Sequence, residues 1–332
     1  MRKRIGITGG SGFLGVNLTD LAVERGYDVV TVDVGDRLGR LAHRAGDPRN
    51  TRLDLDLARP DAVLPEDLDF IIHLAALPHV DYSLHHPEEV LANNMAAHIP
   101  VMAAARRHGI PVLFTSSIEV YGGNGGELFV EDDEADPQSP YAASKVGCER
   151  IAASYQLNYG CSITTVRLTN LYGPWQAPDR IVPRLLTQGI IGGCEREVVT
   201  GRWRDFLYVA DAAVAILDLL ESDEWGGTYN VSAGEGIDLV EVADAIDASV
   251  VGRTRRIDCP VSDGRGSSLV AASERLQRTV GWKPATTLGD GIEATLDWYR
   301  ENEAWWSRFA PQIRAERTGP QFILDHAHPI AR

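Results

Sequence analysis

The stretch Ile5-Gly6-Ile7-Thr8-Gly9-Gly10-Ser11-Gly12-Phe13-Leu14-Gly15 decides the fold of this chain. It reads as a short apolar strand, a turn with glycine at every third position, and the opening of a helix. Each glycine of the turn has a mechanical reason: Gly9 for the tight bend, Gly12 for backbone approach to a pyrophosphate, Gly15 for close helix–strand packing. A helix that starts here offers its first N–H groups and a partial positive charge to phosphate. A second strand over 28–34 places Asp33 18 residues beyond Gly15. A carboxylate at that point accepts hydrogen bonds from an adenosine ribose and repels a 2′-phosphate, so NAD is expected rather than NADP. The third strand closes on Asp54-Leu55-Asp56-Leu57, and Asp56 is the preferred partner for the adenine amino group.

Working outward, apolar runs at 4–8, 29–33, 51–55, 70–74, 112–116 and 162–167 read as strands. Between them 12–25, 87–108 and 141–158 read as helices. Strand–helix–strand repetition implies right-handed crossovers and a parallel sheet covered on both faces, a doubly wound α/β fold of the Rossmann type. The rhythm breaks after Asn170, where Pro174, Pro178, Pro183 and Gly192-Gly193 punctuate the chain. A short strand at 205–210, a helix at 211–220 and a strand at 228–231 come next, then a smaller α+β region with helices at 239–248 and 288–301. The expected division is a dinucleotide-binding domain over 1–172, rejoined by 207–235. A substrate-binding domain then spans 173–206 and 236–320, with a tail over 321–332.

The 332 residues carry 32 Lys and Arg against 47 Asp and Glu, a net charge of −15. Such a surface repels nucleic acid and anionic membrane as general partners, yet leaves room for a locally basic pocket and a small anionic ligand. No apolar run approaches the roughly 20 residues that span a bilayer. The opening Met-Arg-Lys-Arg resembles the start of a signal peptide, but glycines come at once and no apolar stretch of about 7–15 residues does. The cytoplasm is the expected compartment. Cys148, Cys161, Cys194 and Cys259 are scattered without a C-x-x-C pair and read as reduced thiols. His73, His79, His85 and His86 are irregularly spaced, so no metal is expected. Trp298-Tyr299 and Trp305-Trp306 read as packing anchors.

The chemistry sits in Ser139-Pro140-Tyr141-Ala142-Ala143-Ser144-Lys145. Ser139 suits a helix N-cap and Pro140 the first helical position. Tyr141 and Lys145 then share one helix face. An ammonium beside a phenol favours phenolate, so Lys145 is expected to lower the Tyr141 pKa toward the working pH and make it a general base for a hydroxyl. Upstream, Phe114-Thr115-Ser116-Ser117-Ile118-Glu119-Val120-Tyr121-Gly122 closes another strand and points its hydroxyls at the same crevice.

These motifs resemble the extended short-chain dehydrogenase/reductase superfamily, in its NAD-dependent epimerase/dehydratase branch acting on nucleotide-activated sugars. The likeness extends through His73-Leu74-Ala75-Ala76, Asn94, the Arg167–Pro174 run, Arg204-Asp205 and Gly281-Trp282-Lys283-Pro284. It implies that Ser117 completes a catalytic triad with Tyr141 and Lys145. Cofactor contacts are implied at Gly9, Gly12, Phe13, Leu14, Gly15, Asp33, Asp56, Leu57, Leu74, Ala75, Ala76 and Asn94, besides Tyr141 and Lys145. Asn170, Arg204 and Arg265 are implied to hold the diphosphate of a nucleotide-diphosphate sugar. A homodimer built on the helices 87–108 and 141–158 is also implied.

The family reaction is transient oxidation at sugar C4 with NAD recycled internally. The fate of the oxidised sugar depends on the residues after Ser117. A carboxylate before Val120 resembles dehydratases and uronate decarboxylases, and Glu119 is the candidate acid/base there. Ile118 departs from the dehydratase pattern, having no proton to give. Trp203, in a loop shorter than the family's, is expected either in the pocket or in the core, and Ala271-Ala272 stand where relatives often carry an acid. Epimerisation, dehydration, decarboxylation and net dehydrogenation of a non-nucleotide substrate therefore stay open.

Overall fold

The computed structural model describes residues 2–123, 128–192, 194–222, 224–258 and 268–314. At its centre lie β1 (Arg4–Thr8), β2 (Asp28–Asp33), β3 (Asn50–Asp54), β4 (Phe70–His73) and β5 (Val112–Ser117). A short β6 (Leu128–Phe129) leaves this sheet and β7 (Ile163–Leu168) rejoins it. Four more short strands lie outside: β8 (Asn170–Tyr172), β9 (Arg196–Val199), β10 (Trp203–Arg204) and β11 (Phe206–Tyr208). Strand β12 (Thr228–Val231) then returns to the edge beside β7. The order is β3-β2-β1-β4-β5-β7-β12, with every neighbouring pair parallel. The run of connections reverses between β1 and β4, so a crevice opens there beyond the carboxyl ends of the strands. Strands covered on both faces need continuous apolar sequence, and every residue of β5 is buried.

One face of the sheet is covered by α1 (Phe13–Glu24), the other by α3 (Pro87–His108) and α4 (Pro140–Tyr159), with α2 (Val80–His85) before them. Helix α3 begins on a proline with Glu88 and Glu89 in its first turn, and ends with Arg106, Arg107 and His108 before a left-handed Gly109. Acid at the start, base at the end and glycine beyond match the helix dipole and its cap. After α5 (Ile181–Ile191), α6 (Val209–Glu221) returns to the α1 face. Helices α7 (Leu239–Asp247), α8 (Glu274–Val280), α9 (Leu288–Glu301), α10 (Glu303–Trp306) and α11 (Ala310–Arg314) complete the chain, with β13 (Ile237–Asp238), β14 (Thr254–Ile257) and β15 (Ser268–Ala271) among them. A separate apolar core joins α5, α7, α9 and α10.

Besides the short α8, α10 and α11, the helices α2 and α5 are not anticipated by the sequence reading. Proline and histidine in and around them hide their period, and α5 is defined by the core it packs into. Trp203 is neither pocket nor core: it is 42% exposed on β10. Trp298, Tyr299, Trp305 and Trp306 do pack in the separate core. Arg265, Cys259 and the tail over 321–332 lie outside the described residues. Among the described residues no helix is long and apolar enough to cross a membrane.

Candidate active site

The crevice is a cleft of about 880 Å³ running from the glycine turn to the start of α4. At one end Gly9 adopts φ 70° and donates its N–H to Val32 O at 2.8 Å. A Cβ there would come 2.8 Å from the Ala75 nitrogen, and one on Gly15 would come 2.7 Å from the Gly10 Cα. Both positions exclude a side chain, by conformation at Gly9 and by contact at each. No side chain caps the N-terminus of α1, so its leading N–H groups face the cleft. Backbone N–H groups at a helix start, in a cradle where a Cβ collides with the chain, fit a dinucleotide pyrophosphate.

Asp33 ends β2 at the rim of this turn. Its carboxylate accepts Ser11 N–H at 3.0 Å and Val34 N–H at 2.8 Å, and burial pushes its pKa up. Asp56 accepts Ala58 N–H at 2.9 Å, and Leu57 beside it is buried. Phe13, Leu14, Leu74, Ala75 and Ala76 line the same end. Thr8 fixes the turn after β4: its carbonyl takes Leu74 N–H and its hydroxyl bonds His73 Nδ1 at 2.7 Å. Asn94 does not line the cleft. Its side-chain carbonyl takes Leu77 N–H at 2.7 Å and its amide donates to Ser144 Oγ at 2.9 Å, so it braces the wall from behind.

At the other end, Ser139 Oγ accepts Ala142 N–H at 3.1 Å and starts α4, setting Tyr141 and Lys145 one turn apart and facing inward. The Ser117 hydroxyl hydrogen-bonds the Tyr141 phenol and also accepts Glu119 N–H at 3.2 Å. Lys145 Nζ donates to Thr115 O at 2.9 Å and lies 6.0 Å from the Tyr141 ring centre.

The electrostatics differ from the sequence expectation. Burial pushes the Tyr141 phenol up to about 12, with Glu119 adding to the rise, while the Ser117 hydrogen bond and the Arg180 charge oppose it. Burial also pulls Lys145 down to about 8. The ammonium is spent on a carbonyl, and desolvation outweighs whatever it offers the phenol.

Glu119 lines the cleft beside Tyr141, and burial raises its pKa against the pull of Arg204 and Arg180. Ile118 turns the other way and packs with Val120, Tyr121, Phe129, Leu269 and Ala271. Arg204 donates to Trp203 O at 2.8 Å, and Asn170 donates to Asp205 O at 3.1 Å. Both line the cleft, Asn170 from β8, which pairs in parallel with β11, and Arg204 from β10, which pairs with β13 and β15.

Several lining residues escape a reading by motif. Arg180 donates to Pro78 O at 3.2 Å and bonds His79 Nδ1 at 2.6 Å, bridging the loops ahead of α5 and α2. Burial holds His79 well below the usual imidazole range, so Arg180 faces a neutral ring. Asp81 opposes ionisation of Glu119. Arg40 reaches from the β2 loop to Ser11 O at 3.3 Å. The only sequence signal for Arg180 is its place after Asp179 at the start of a proline-containing helix.

Known proteins resemble this chain in fold and sequence. A dTDP-glucose 4,6-dehydratase from Mycobacterium tuberculosis (strain CDC 1551 / Oshkosh) is 32% identical over 316 residues, covering 91% of this chain and 95% of its own. The crystal structure of a dTDP-glucose 4,6-dehydratase from Streptomyces venezuelae with NAD bound matches with a TM-score of 0.82 at 26% identity, over 92% of this chain and 99% of that one. A UDP-N-acetylglucosamine 4-epimerase from Methanobrevibacter ruminantium M1 gives a TM-score of 0.80 at 26% identity, over 90% and 99%. The family described as NAD dependent epimerase/dehydratase matches residues 5–232, more than half of the sequence. The chain therefore belongs to the NAD dependent epimerase/dehydratase family, and NAD is its cofactor.

Proposed function

We propose that this enzyme dehydrates a nucleoside-diphosphate hexose through transient oxidation at C4. The carrying observation is Glu119, a half-buried carboxylate of raised pKa that faces the cleft beside Tyr141. A plain 4-epimerase has no task for a proton-handling group there; a sugar oxidised at C4 does, because the ketone acidifies the C5 proton.

Tyr141, in its phenolate form, takes the proton of the C4 hydroxyl, and Ser117 holds the same oxygen in place. Gly9–Gly15, Asp33, Asp56 and Leu74–Ala76 would hold NAD, which would supply a hydride acceptor for C4 and a hydride donor for C6. Glu119 removes the C5 proton and passes it to the departing C6 hydroxyl, which leaves as water; when hydride reaches C6, C5 takes the proton that Tyr141 holds, and the phenolate is restored. With Ile118 turned into an apolar cluster, one carboxylate serves as both base and acid. Lys145 orients the cofactor ribose, and Asn170 and Arg204 hold the substrate diphosphate, guanidinium being well matched to phosphate oxygens. The elements outside the seven-stranded sheet form the substrate side.

The same reading sets the enzyme in the cytoplasm as a homodimer paired through α3 and α4. Exposed Ile99 and Leu157 on those helices and small residues such as Ala96 and Ala103 support that pairing.

Incubation with UDP-, dTDP-, GDP- and CDP-hexoses, with mass spectrometry and NMR of the products, tests the assignment. A product lighter by 18 mass units, about that of one water, with no net NADH is expected. Unchanged mass with inverted C4, loss of carbon dioxide from a uronate, or stoichiometric NADH would each overturn it.

A further inference from the structure

The outer wall of the cofactor end is the loop after β2, where Val34, Gly35, Arg37, Leu38 and Arg40 line the cleft. Part of what holds this loop is not the sheet but a segment nearly 270 residues further along the chain. The Leu38 carbonyl accepts the indole N–H of Trp305 at 2.8 Å and a guanidinium N–H of Arg308. The Arg308 guanidinium also lies 5.5 Å from the Trp305 ring centre and 5.3 Å from that of Phe309, which is itself buried against the cleft.

A second set of contacts ties the same place to the phosphate-binding turn. Arg40, nearly fully buried, sits 5.6 Å from the Trp305 ring and donates to Ser11 O at 3.3 Å and to Trp175 O at 2.8 Å. Trp175 is the one non-glycine residue with positive φ among the described residues, at 70°. A left-handed tryptophan is unfavourable unless its surroundings hold it. Here Arg40 takes its carbonyl, and His43, Trp298 and Trp305 pack its ring. Leu38 itself packs its side chain against that core, which accounts for the ring contacts; the two donors converging on its carbonyl are a tie beyond that packing.

We propose that the segment from Glu303 to Phe309 is part of the NAD site: a clasp that holds the β2 loop against the phosphate-binding turn, so that NAD leaves only when the loop undocks. The proposal rests on NAD lying along Gly9–Gly15, and is independent of the reaction assigned above.

The test is the dissociation rate of labelled NAD from the purified holoenzyme, chased with excess unlabelled NAD. Trp305→Phe combined with Arg308→Ala removes both donors to Leu38 O and keeps the aromatic ring. Two hydrogen bonds lost correspond to roughly tenfold faster release, and each single variant to roughly threefold. Arg308 is exposed, so Arg308→Ala alone remains a folded protein for this measurement even if the double variant melts early. Unchanged release in Arg308→Ala and Trp305→Phe overturns the clasp. Gly12→Val separates this outcome from a wrong cofactor placement, since a Cβ at Gly12 would meet Gly9 O at 2.9 Å. Loss of NAD in Gly12→Val with wild-type release in the clasp variants refutes the clasp alone; full NAD retention in Gly12→Val refutes the placement beneath it.

Discussion

At the phosphate end of the cleft the chain presents backbone: the left-handed Gly9, the uncapped start of α1 and the collapsed space at Gly15. At the Tyr141 end it presents charge: Glu119 and Arg180 act on the phenol, Arg204 and Asp81 act on Glu119, and Lys145 lies beside the Tyr141 ring. The first end carries no ionisable group in the glycine turn itself, and the carboxylate at its rim, Asp33, is tied to the backbone N–H groups of Ser11 and Val34. At the second, burial has displaced the phenol upward and the lysine downward. A binding surface made of N–H groups is paired with a reactive surface made of groups that burial has displaced from their ordinary titration points. The two should respond separately to mutation.

The largest effect expected is Tyr141→Phe. A positioned general base contributes about 10²–10⁴-fold, so turnover should fall roughly 10³-fold while NAD stays bound. Assayed turnover beside the NAD content of the purified protein checks this; loss of both together would break the separation of the two ends. Next comes Glu119→Gln, which should cost about 10²-fold in product formation. Its more telling consequence lies in the pH profile of hydride transfer, read at the NADH absorbance in a single turnover. A carboxylate beside a phenol disfavours phenolate. Removing that charge should therefore move the Tyr141 limb to lower pH, whereas a stationary limb would show that the two groups do not communicate.

The phosphate end was legible because its requirements are local. Three glycines, a strand before and a helix after carry the whole geometry within eleven residues, and the Tyr-x-x-x-Lys spacing comes from one helix turn. The other end was not, because its contacts cross the fold. Arg180 meets His79 some 100 residues away. Asn94 shows how a correct motif can mislead about direction, its amide being taken by Leu77 and Ser144. The acidity of Tyr141 failed for a related reason. Spacing identifies Lys145 as the neighbour, but burial is set by Tyr82, Val90 and the loop around Leu77, none of which adjoins it in sequence.

The displaced lysine gives a stability prediction. Lys145 titrates near 8 in the folded protein against 10.5 for an ordinary lysine. Between those values the unfolded chain keeps a proton that the folded chain has released, so stability rises with pH across that window. Tyr141 acts in the opposite sense only above pH 10, since its folded value lies above its usual 10.0. Denaturant titrations at pH 8 and pH 10 should show the Lys145 contribution growing by about 2 kcal/mol, and Lys145→Met should abolish that growth. An identical slope in the variant would mean that the lysine is solvated in the folded state.

The smallest effects compare two helix caps. Ser139 Oγ accepts Ala142 N–H at 3.1 Å at the start of α4, and Thr287 Oγ1 accepts Asp290 N–H at 3.2 Å at the start of α9. Each bond satisfies one otherwise unpaired donor, so Ser139→Ala and Thr287→Ala should each cost about 1 kcal/mol in denaturant titration. Their effects on turnover should differ. Tyr141 stands two residues inside the first cap and depends on that turn for its aim at Ser117, whereas α9 presents no group to the reacting end. Ser139→Ala should therefore lower turnover several-fold, by roughly the stability it loses, with Thr287→Ala unchanged. Equal turnover in the two variants would mean that Tyr141 is held by its burial against Tyr82 and Val90, and not by the helix that carries it.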